Sequence, residues 1–459
     1  MRYWLRRFIV GLLVMSRPVF LGGEAVASEA KVPSATLVPV QHQLAQPDER
    51  MPILNQLDFA VGRSFFRNPW VQAPASTDAR DGLGPLFNSV TCLSCHVSSA
   101  RGFAPQQDKP LRHQVVRLSV SGDALTRTAG VVPEPGYGVQ LQSQSLPQLL
   151  PEGQPLIRYQ PVTRQLRNGT TVVLRKPELR IEQLNYGALS NRVQTSIRLA
   201  PAMTGLGLLE AVPEKQLLAW ADAVDANGDG ISGRANRVWD IASQQFVMGR
   251  FGWKAEQPTI LQQTAGALHA DLGITSTLMP EQDCTPIQQV CQTVEHGGEP
   301  EISDHLLQRI AFYVSNLAVP AQRDVDSDTK NKGQALFFEA GCQQCHRPTL
   351  QTGVSEFEWL SNRKIYPYTD LLLHDMGEDL ADNRPVFGAS GREWRTPPLW
   401  GIGLAKSVSP ETGFLHDGRA RNVLEAILWH GGEALQSRIK VEQMSAAQRD
   451  DLVRFVESL

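Results

Sequence analysis

Apolar residues recur at helical spacing in several separate stretches of the chain. In TKNKGQALFFEAGCQQCH, Leu336, Phe337 and Ala340 share one face, which predicts a helix ending at Gly341. The last residues, SAAQRDDLVRFVESL, put Leu452, Phe455 and Leu459 on a common face and predict a second helix. LNQLDFAVGRSFF has the same character, and VPEKQLLAWADAV and SDHLLQRIAFYVSNL predict two more helices, the latter stopping before Pro320. The pattern changes between residues 111 and 190. There RHQVVRLSV alternates apolar with polar, TTVVLRKPEL is rich in β-branched residues, and Asn168-Gly169 between LIRYQPVTRQLR and TTVVL marks a hairpin. A small β insertion in an otherwise helical chain is the expectation. The polar stretch 321–331 reads as a linker between two halves.

The start of the chain has a different pattern. Arg2, Arg6 and Arg7 precede the apolar run FIVGLLVM, and Ala25-Val26-Ala27 offers a small-x-small cleavage site. Residues 1–27 therefore read as a signal peptide for export, most simply to a bacterial periplasm. No later stretch is long and apolar enough to span a membrane, so no membrane span is expected in the mature form. At 459 residues, 42% hydrophobic and 20% charged, the remainder has the composition of an ordinary globular protein of more than one domain. A net charge of −3 without a basic stripe excludes nucleic acid as an expected partner.

Chemistry enters with the cysteines. Four of the six lie in TCLSCHV (91–97) and GCQQCHR (341–347), two C-x-x-C-H units. A dithiol redox pair, a zinc site and covalent haem attachment could each use such a unit. The dithiol chemistry wants a strand–helix context that neither unit has, and zinc leaves the histidine unexplained in both copies. Haem uses every residue: Cys92 and Cys95, or Cys342 and Cys345, add to the two vinyl groups, and His96 or His346 ligates the iron. Two covalently bound c-type haems are the expected cofactors. A helix before each unit and a closing helix at the chain's end is a cytochrome c arrangement. The halves echo each other again, since Pro201-Ala-Met-Thr-Gly205-Leu-Gly207-Leu208 and Pro397-Pro-Leu-Trp-Gly401-Ile-Gly403-Leu404 share P-x3-G-x-G-L.

Two further groups carry a functional and a structural reading each. Cys284 and Cys291, in a loop rich in Pro and Gln, read as a structural disulfide, with a redox-active pair as the alternative. In DANGDGISGRAN (225–236), Asp225, Asn227 and Asp229 stand at positions 1, 3 and 5 of an EF-hand-like loop, but position 12 is Asn236. A calcium site and a Gly-rich polar turn are the two readings.

Long motifs now point to one family. DGLGPLFNSVTCLSCH (81–96), RLAPAMTGLGLLEAVP (198–213), DANGDGISGR (225–234), GRFGWKA (249–255), PYTDLLLHDMGEDLAD (367–382), REWRTPPLWG (392–401) and FLHDGRARNVLEAILWHGGEA (414–434) resemble the di-haem oxidoreductases, relatives of bacterial di-haem cytochrome c peroxidases. One departure follows the first unit, where the family's usual DGRG is replaced by Ser98-Ser99-Ala100-Arg101-Gly102. The resemblance implies a mainly α fold of two cytochrome c-like domains: an N-terminal one over 50–320, containing the β insertion and the candidate calcium loop, and a C-terminal one over 327–459. It implies a peroxidase-like oxidoreductase in which a small periplasmic donor feeds the C-terminal haem and peroxide or a similar small oxidant meets the N-terminal one. An electron-transfer-only di-haem cytochrome serving a partner protein is the alternative.

The same resemblance suggests sixth ligands. His430 in AILWHGG follows the H-D-G turn where relatives place the distal ligand of the electron-transfer haem, although a histidine ending a helix also suits the helix dipole. Met376 is the second candidate, with core filling as its ordinary alternative. Glu210 stands near the place of an acidic distal group and could act as general acid or base, or simply cap a helix. His374 and His416 read as propionate or backbone partners, and His42, His113, His269, His296 and His305 lie in no motif. Trp394, Trp400 and Trp429 could carry electrons between haems or pack against porphyrin.

Overall fold

The helices that frame each half begin with a side-chain cap. Ser303 accepts a hydrogen bond from Leu306 N–H and opens the helix Asp304–Ser315. Asp326 accepts from Thr329 N–H and opens Ser327–Ala340, which takes over the end of the expected linker. Ser445 and Gln448 form a reciprocal capping box before Ala446–Ser458. This computed structural model describes residues 40–459 except 124, 168, 324 and 325. The expected signal peptide thus lies outside the described residues.

The two halves repeat one construction. In the first, the helix Gln56–Arg67 crosses Asp304–Ser315 at Gly62, where a Cβ would stand 2.0 Å from the Arg309 carbonyl oxygen. In the second, Ser327–Ala340 crosses Ala446–Ser458 at Gly333, where a Cβ would stand 2.3 Å from the Asp451 oxygen. One turn further on, Phe66 packs on Tyr313 with ring centroids 5.2 Å apart, and Phe337 packs on Phe455 at 5.6 Å. The P-x3-G-x-G-L echo packs on the C-terminal end of the second helix in both copies. Gly205 N–H donates to Leu317 O and Gly401 N–H to Leu459 O, each at 2.9 Å, with φ of +69° and +70°. Gly207 and Gly403 press against the Ser315 and Glu457 carbonyls with no room for a Cβ. We expect Gly333→Ala to cost about 1–3 kcal/mol, as overpacking does, because backbone rather than a flexible side chain opposes the new methyl. A chemical denaturation midpoint equal to the parent's would show that the crossing can open without cost.

The expectation of a mainly α fold is not met. Among the described residues 30% are helical and 19% lie in strands. Those strands form six small sheets. The β region is larger than the alternation suggested. Gln114–Val120 pairs with Gln140–Leu141 on one side and with Val193–Leu199 on the other, so the sheet extends past residue 190. Several other ladders are two to four residues long, including Leu373–Asp375 with Glu393–Arg395 and Arg237–Asp240 with Gln245–Met248. Segments so short cannot display a period of two, and distant partners decide them. Conversely, the helix expected over VPEKQLLAWADAV is only Glu214–Leu218, because Asp222 N–H turns to Ser232 O and its carboxylate takes Ala226 N–H. The helix Ile260–Leu272, capped by Thr259 and ended by Gly273 at φ +71°, carried a readable cap pair that the periodicity reading passed over.

The expected hairpin consists of two twelve-residue strands, Gln154–Gln165 and Thr171–Glu182. It reaches from the first half onto the second. Leu166 and Leu174 are buried there with Phe337, Trp429 and Phe455. Arg164 pairs with Asp379 at 2.6 Å, Arg167 N–H donates to Glu442 O at 3.0 Å, and Arg421 Nη2 donates to Val173 O at 2.6 Å. In exchange, Leu350, Leu360, Ile365, Leu372 and Trp400 of the second half complete the core around Cys92 and Leu93.

Candidate functional site

Each C-x-x-C-H unit is one tight turn set by local hydrogen bonds. Thr91 accepts from Ser94 N–H at 2.9 Å and starts the turn Cys92–Cys95. His96 N–H closes it onto Cys92 O at 2.9 Å. The second unit starts where the preceding helix ends at Gly341, φ +89°, and His346 N–H closes onto Cys342 O, also at 2.9 Å. Both thiols and the histidine are thereby gathered within one turn in each copy. Burial, aided at the first pair by Asp271, pushes the Cys92 and Cys95 thiols up to about 12, and burial pushes Cys342 to about 12 as well. Such thiols are poor nucleophiles and do not suit a dithiol exchange centre.

The histidines are prepared alike. His96 Nδ1 lies 2.9 Å from Pro201 O and His346 Nδ1 lies 2.9 Å from Tyr368 O. A carbonyl can only accept, so Nδ1 carries the proton and Nε2 keeps its lone pair. Burial pushes both imidazoles down to about 4, which keeps them neutral and ligand-ready at any ordinary pH. These two carbonyls fix ring orientation in the way that partners of metal-bound histidines do.

Cys342, Cys345 and His346 line a cavity of about 1290 Å³, including its part open to solvent. Its other walls include Phe337, Leu399, Phe414, Leu452 and Val456, so it is a large and mainly apolar space, as a macrocycle requires. His430 and Met376 line it too. His430 Nδ1 is 2.8 Å from Ala426 O, which again leaves Nε2 for a ligand. His430 thus repeats the arrangement of His96 and His346, and the residues present fit a haem held through Cys342, Cys345 and His346.

His374 and His416 also line this cavity. His374 is bracketed by carboxylates, Nε2 at 2.9 Å from Asp370 and Nδ1 at 2.6 Å from Glu433. Burial opposes its charge, but the carboxylates of Asp370 and Glu433 support it and the pKa is held well above the usual value. His416 lies flat on Trp394, centroids 3.7 Å apart and planes within 11°, and burial pushes it down to about 3. Trp394 in turn sits under the Lys254 ammonium at 4.3 Å and the Arg198 guanidinium at 4.5 Å. Of the other tryptophans, Trp429 is buried in the second core and Trp400 in the first. His113, in no motif, holds its Nδ1 against Ser94 O of the first unit. Only the fold could reveal that contact.

Glu210 caps a helix: its Oε1 accepts from Ile260 N–H at 2.7 Å at the start of Ile260–Leu272. Burial raises its pKa. In the 225–236 loop, the Asp225 carboxylate accepts from Gly230 N–H, Asn227 Oδ1 from Asp229 N–H, and Asp229 Oδ1 from Ile231 N–H. Asn236 points into the core, donating to Lys254 O at 2.8 Å and accepting from Gly388 N–H at 2.9 Å. Among the described residues no group of three or more His, Cys, Asp or Glu is arranged to hold a metal ion. The loop is tied to the second half through Ser232 to Glu433 and Arg234 to Glu393. Cys284 and Cys291 are disulfide-bonded. No helix among the described residues is long and apolar enough to cross a membrane.

Comparison with known proteins agrees with this site. Residues 156–459 match the family described as "Di-haem oxidoreductase, putative peroxidase". No curated protein matches the chain. A solved structure of hydrazine synthase from Kuenenia stuttgartiensis, pressurised with xenon, is similar at 13% identity and a TM-score of 0.32, over 97% of this chain and 100% of that one. A likeness that distant carries no argument about this chain.

Proposed function

Because the chain belongs to the di-haem oxidoreductase family, we propose that it is an exported, peroxidase-like oxidoreductase carrying two c-type haems. Residues 1–27 direct it to the periplasm, a small donor protein delivers electrons at the C-terminal site, and a small oxidant such as peroxide reacts at the N-terminal one. The observation that carries this reading is the repeated geometry of His96 and His346. Each imidazole follows its C-x-x-C turn, has Nδ1 fixed by a backbone carbonyl at 2.9 Å, and offers Nε2. A bound c-type haem supplies one-electron chemistry at its iron.

The chain's own residues supply the rest. Cys92 and Cys95, and Cys342 and Cys345, anchor; His96 and His346 orient and ligate; the apolar walls exclude water from the second site. His430 would also hold the iron there, since its Nε2 is left open in the cavity that His346 lines. Met376 lines that cavity as the competing ligand. Glu210 caps a helix through Oε1 and would use Oε2 as general acid or base at the N-terminal site.

Low-temperature EPR of the fully ferric and the half-reduced protein tests the reading. A high-spin ferric signal in either state is expected, from an iron with an accessible sixth position. Low-spin signals alone in both states would replace the peroxidase-like reading with electron transfer only. His430→Met should raise the reduction potential of the C-terminal haem, as methionine ligation does, and change its spectrum. An unchanged spectrum would remove His430 as ligand.

A further inference from the structure

The second cavity holds an uncompensated charge. Arg101 is 7% exposed and lines this cavity, although it lies five residues after His96 in the loop of the first unit. Its guanidinium sits over the Trp253 and Phe414 rings, 5.4 and 5.8 Å from their centroids. Its Nη1 is buried with no hydrogen-bond partner, and no carboxylate pairs with it among the described residues. Arg395, also 7% exposed, lines the same cavity and, among the described residues, donates to the Gly252 and Thr396 carbonyls, with the Glu256 and Asp370 carboxylates near enough to favour its charge. The two are near enough for Arg395 to depress Arg101 further than burial does alone. The carboxylate lining the cavity, Glu433, is already taken by His374, Ser232 and Asp375 N–H.

Arginine does not shed its proton in a protein, and a buried guanidinium without an anion is destabilising. The forked donor geometry suits a carboxylate. The position of Arg101 is also built rather than incidental. Ser98 and Ser99 take left-handed φ of 50° and 62°, Ser99 Oγ bonds Tyr313 OH at 2.8 Å, and the loop is then tied to the second half through Thr412 Oγ1 to Gly102 O and Ala104 N–H to Glu411 O. That path carries the Arg101 side chain out of the first unit and into the second cavity.

We propose that Arg101 and Arg395 form a carboxylate clamp in the second cavity, which grips a propionate of the C-terminal haem with an arginine delivered by the N-terminal haem loop. This rests on the di-haem reading above. The clamp makes Arg101 a positioning residue for the second haem, joined to its carboxylate by hydrogen bonds and to His96 by five residues of chain.

The test compares wild type, Arg101→Leu and Arg101→Lys, each with haem content measured first by pyridine haemochrome. Resonance Raman and spectroelectrochemistry then follow the C-terminal haem, isolated in half-reduced difference spectra. With two haems retained, Arg101→Leu should shift the propionate bending band and lower the midpoint potential. Arg101→Lys should recover the potential, because the charge returns, but not the band, because the fork does not. Band and potential both unchanged in a two-haem Arg101→Leu protein would overturn the clamp. If that variant fails to accumulate, an unchanged band in Arg101→Lys overturns it equally. Acetate titrated into dialysed wild type distinguishes the source: a shift that Arg101→Leu abolishes would mean an exogenous carboxylate and overturn the propionate assignment. Absence of haem at the second unit of wild type would defeat the di-haem reading itself, a separate outcome.

Discussion

A Cys342→Ala/Cys345→Ala protein is expected to carry one covalently bound haem per chain where the parent carries two, halving the haem stain of the denatured band. The two thiols lie in one turn, held by the His346 N–H bond to Cys342 O, and no other cysteine lines that cavity. Burial raises both thiols, so neither is a resting thiolate with chemistry of its own. The loss should not stop at attachment. The walls of the second cavity, Phe337, Leu452 and Val456 among them, belong to the second core, and space left unfilled in a core costs stability. A lower thermal midpoint should therefore accompany the lost haem. Two haems per chain in this variant would refute the assignment of the second unit.

Asp382→Ala is expected to destabilise the protein by about 3–5 kcal/mol, the cost of leaving buried charge unpaired. That is a large part of the total stability of a typical domain. Asp382 accepts from Arg198 Nη2 at 3.0 Å, Ser196 Oγ at 2.7 Å and Arg384 N–H at 3.0 Å, and lies 3.1 Å from Lys254 Nζ. Lys254 is fully buried and Arg198 nearly so, both against Trp394. Removing the carboxylate leaves two buried cations on one indole. The pH dependence has a definite sign. Burial works to raise the Asp382 pKa, but Arg198 and Lys254 outweigh it and hold the group below its usual value. Its contribution is therefore complete above the unfolded value of about 3.9 and fades as pH falls through the folded one. Urea midpoints of parent and variant should differ most near neutrality and converge in acid. Equal midpoints at neutral pH would mean that water reaches the cluster and screens it.

Features that depend on caps, periodicity and short spacings are legible in the sequence because their information is local. The helices before Cys342 and at the chain's end, the strands flanking Asn168-Gly169, and both C-x-x-C-H turns are of this kind. The P-x3-G-x-G-L echo is legible as a repeat, though not its purpose, which is to let the chain close on two helix ends at Gly207 and Gly403. Fold class is not legible in the same way, because ladders such as Leu373–Asp375 with Glu393–Arg395 are too short to show alternation. VPEKQLLAWADAV has helical spacing, yet Asp222 finds better partners in the following loop.

What the sequence by itself determined is the chemistry: two thiol pairs, two histidines, and the order in which they occur. A five-residue unit carries that information because its members are adjacent in the chain. What only the tertiary structure decided is who meets whom across it. The burial of the hairpin residues Leu166 and Leu174 in the second core and of Trp400 in the first, the bracketing of His374 by Asp370 and Glu433, and the presence of Arg101 beside Arg395 all join residues with no common period. Such contacts arise because apolar faces must be covered and buried charges must be met, and either demand is satisfied by whatever the fold brings near.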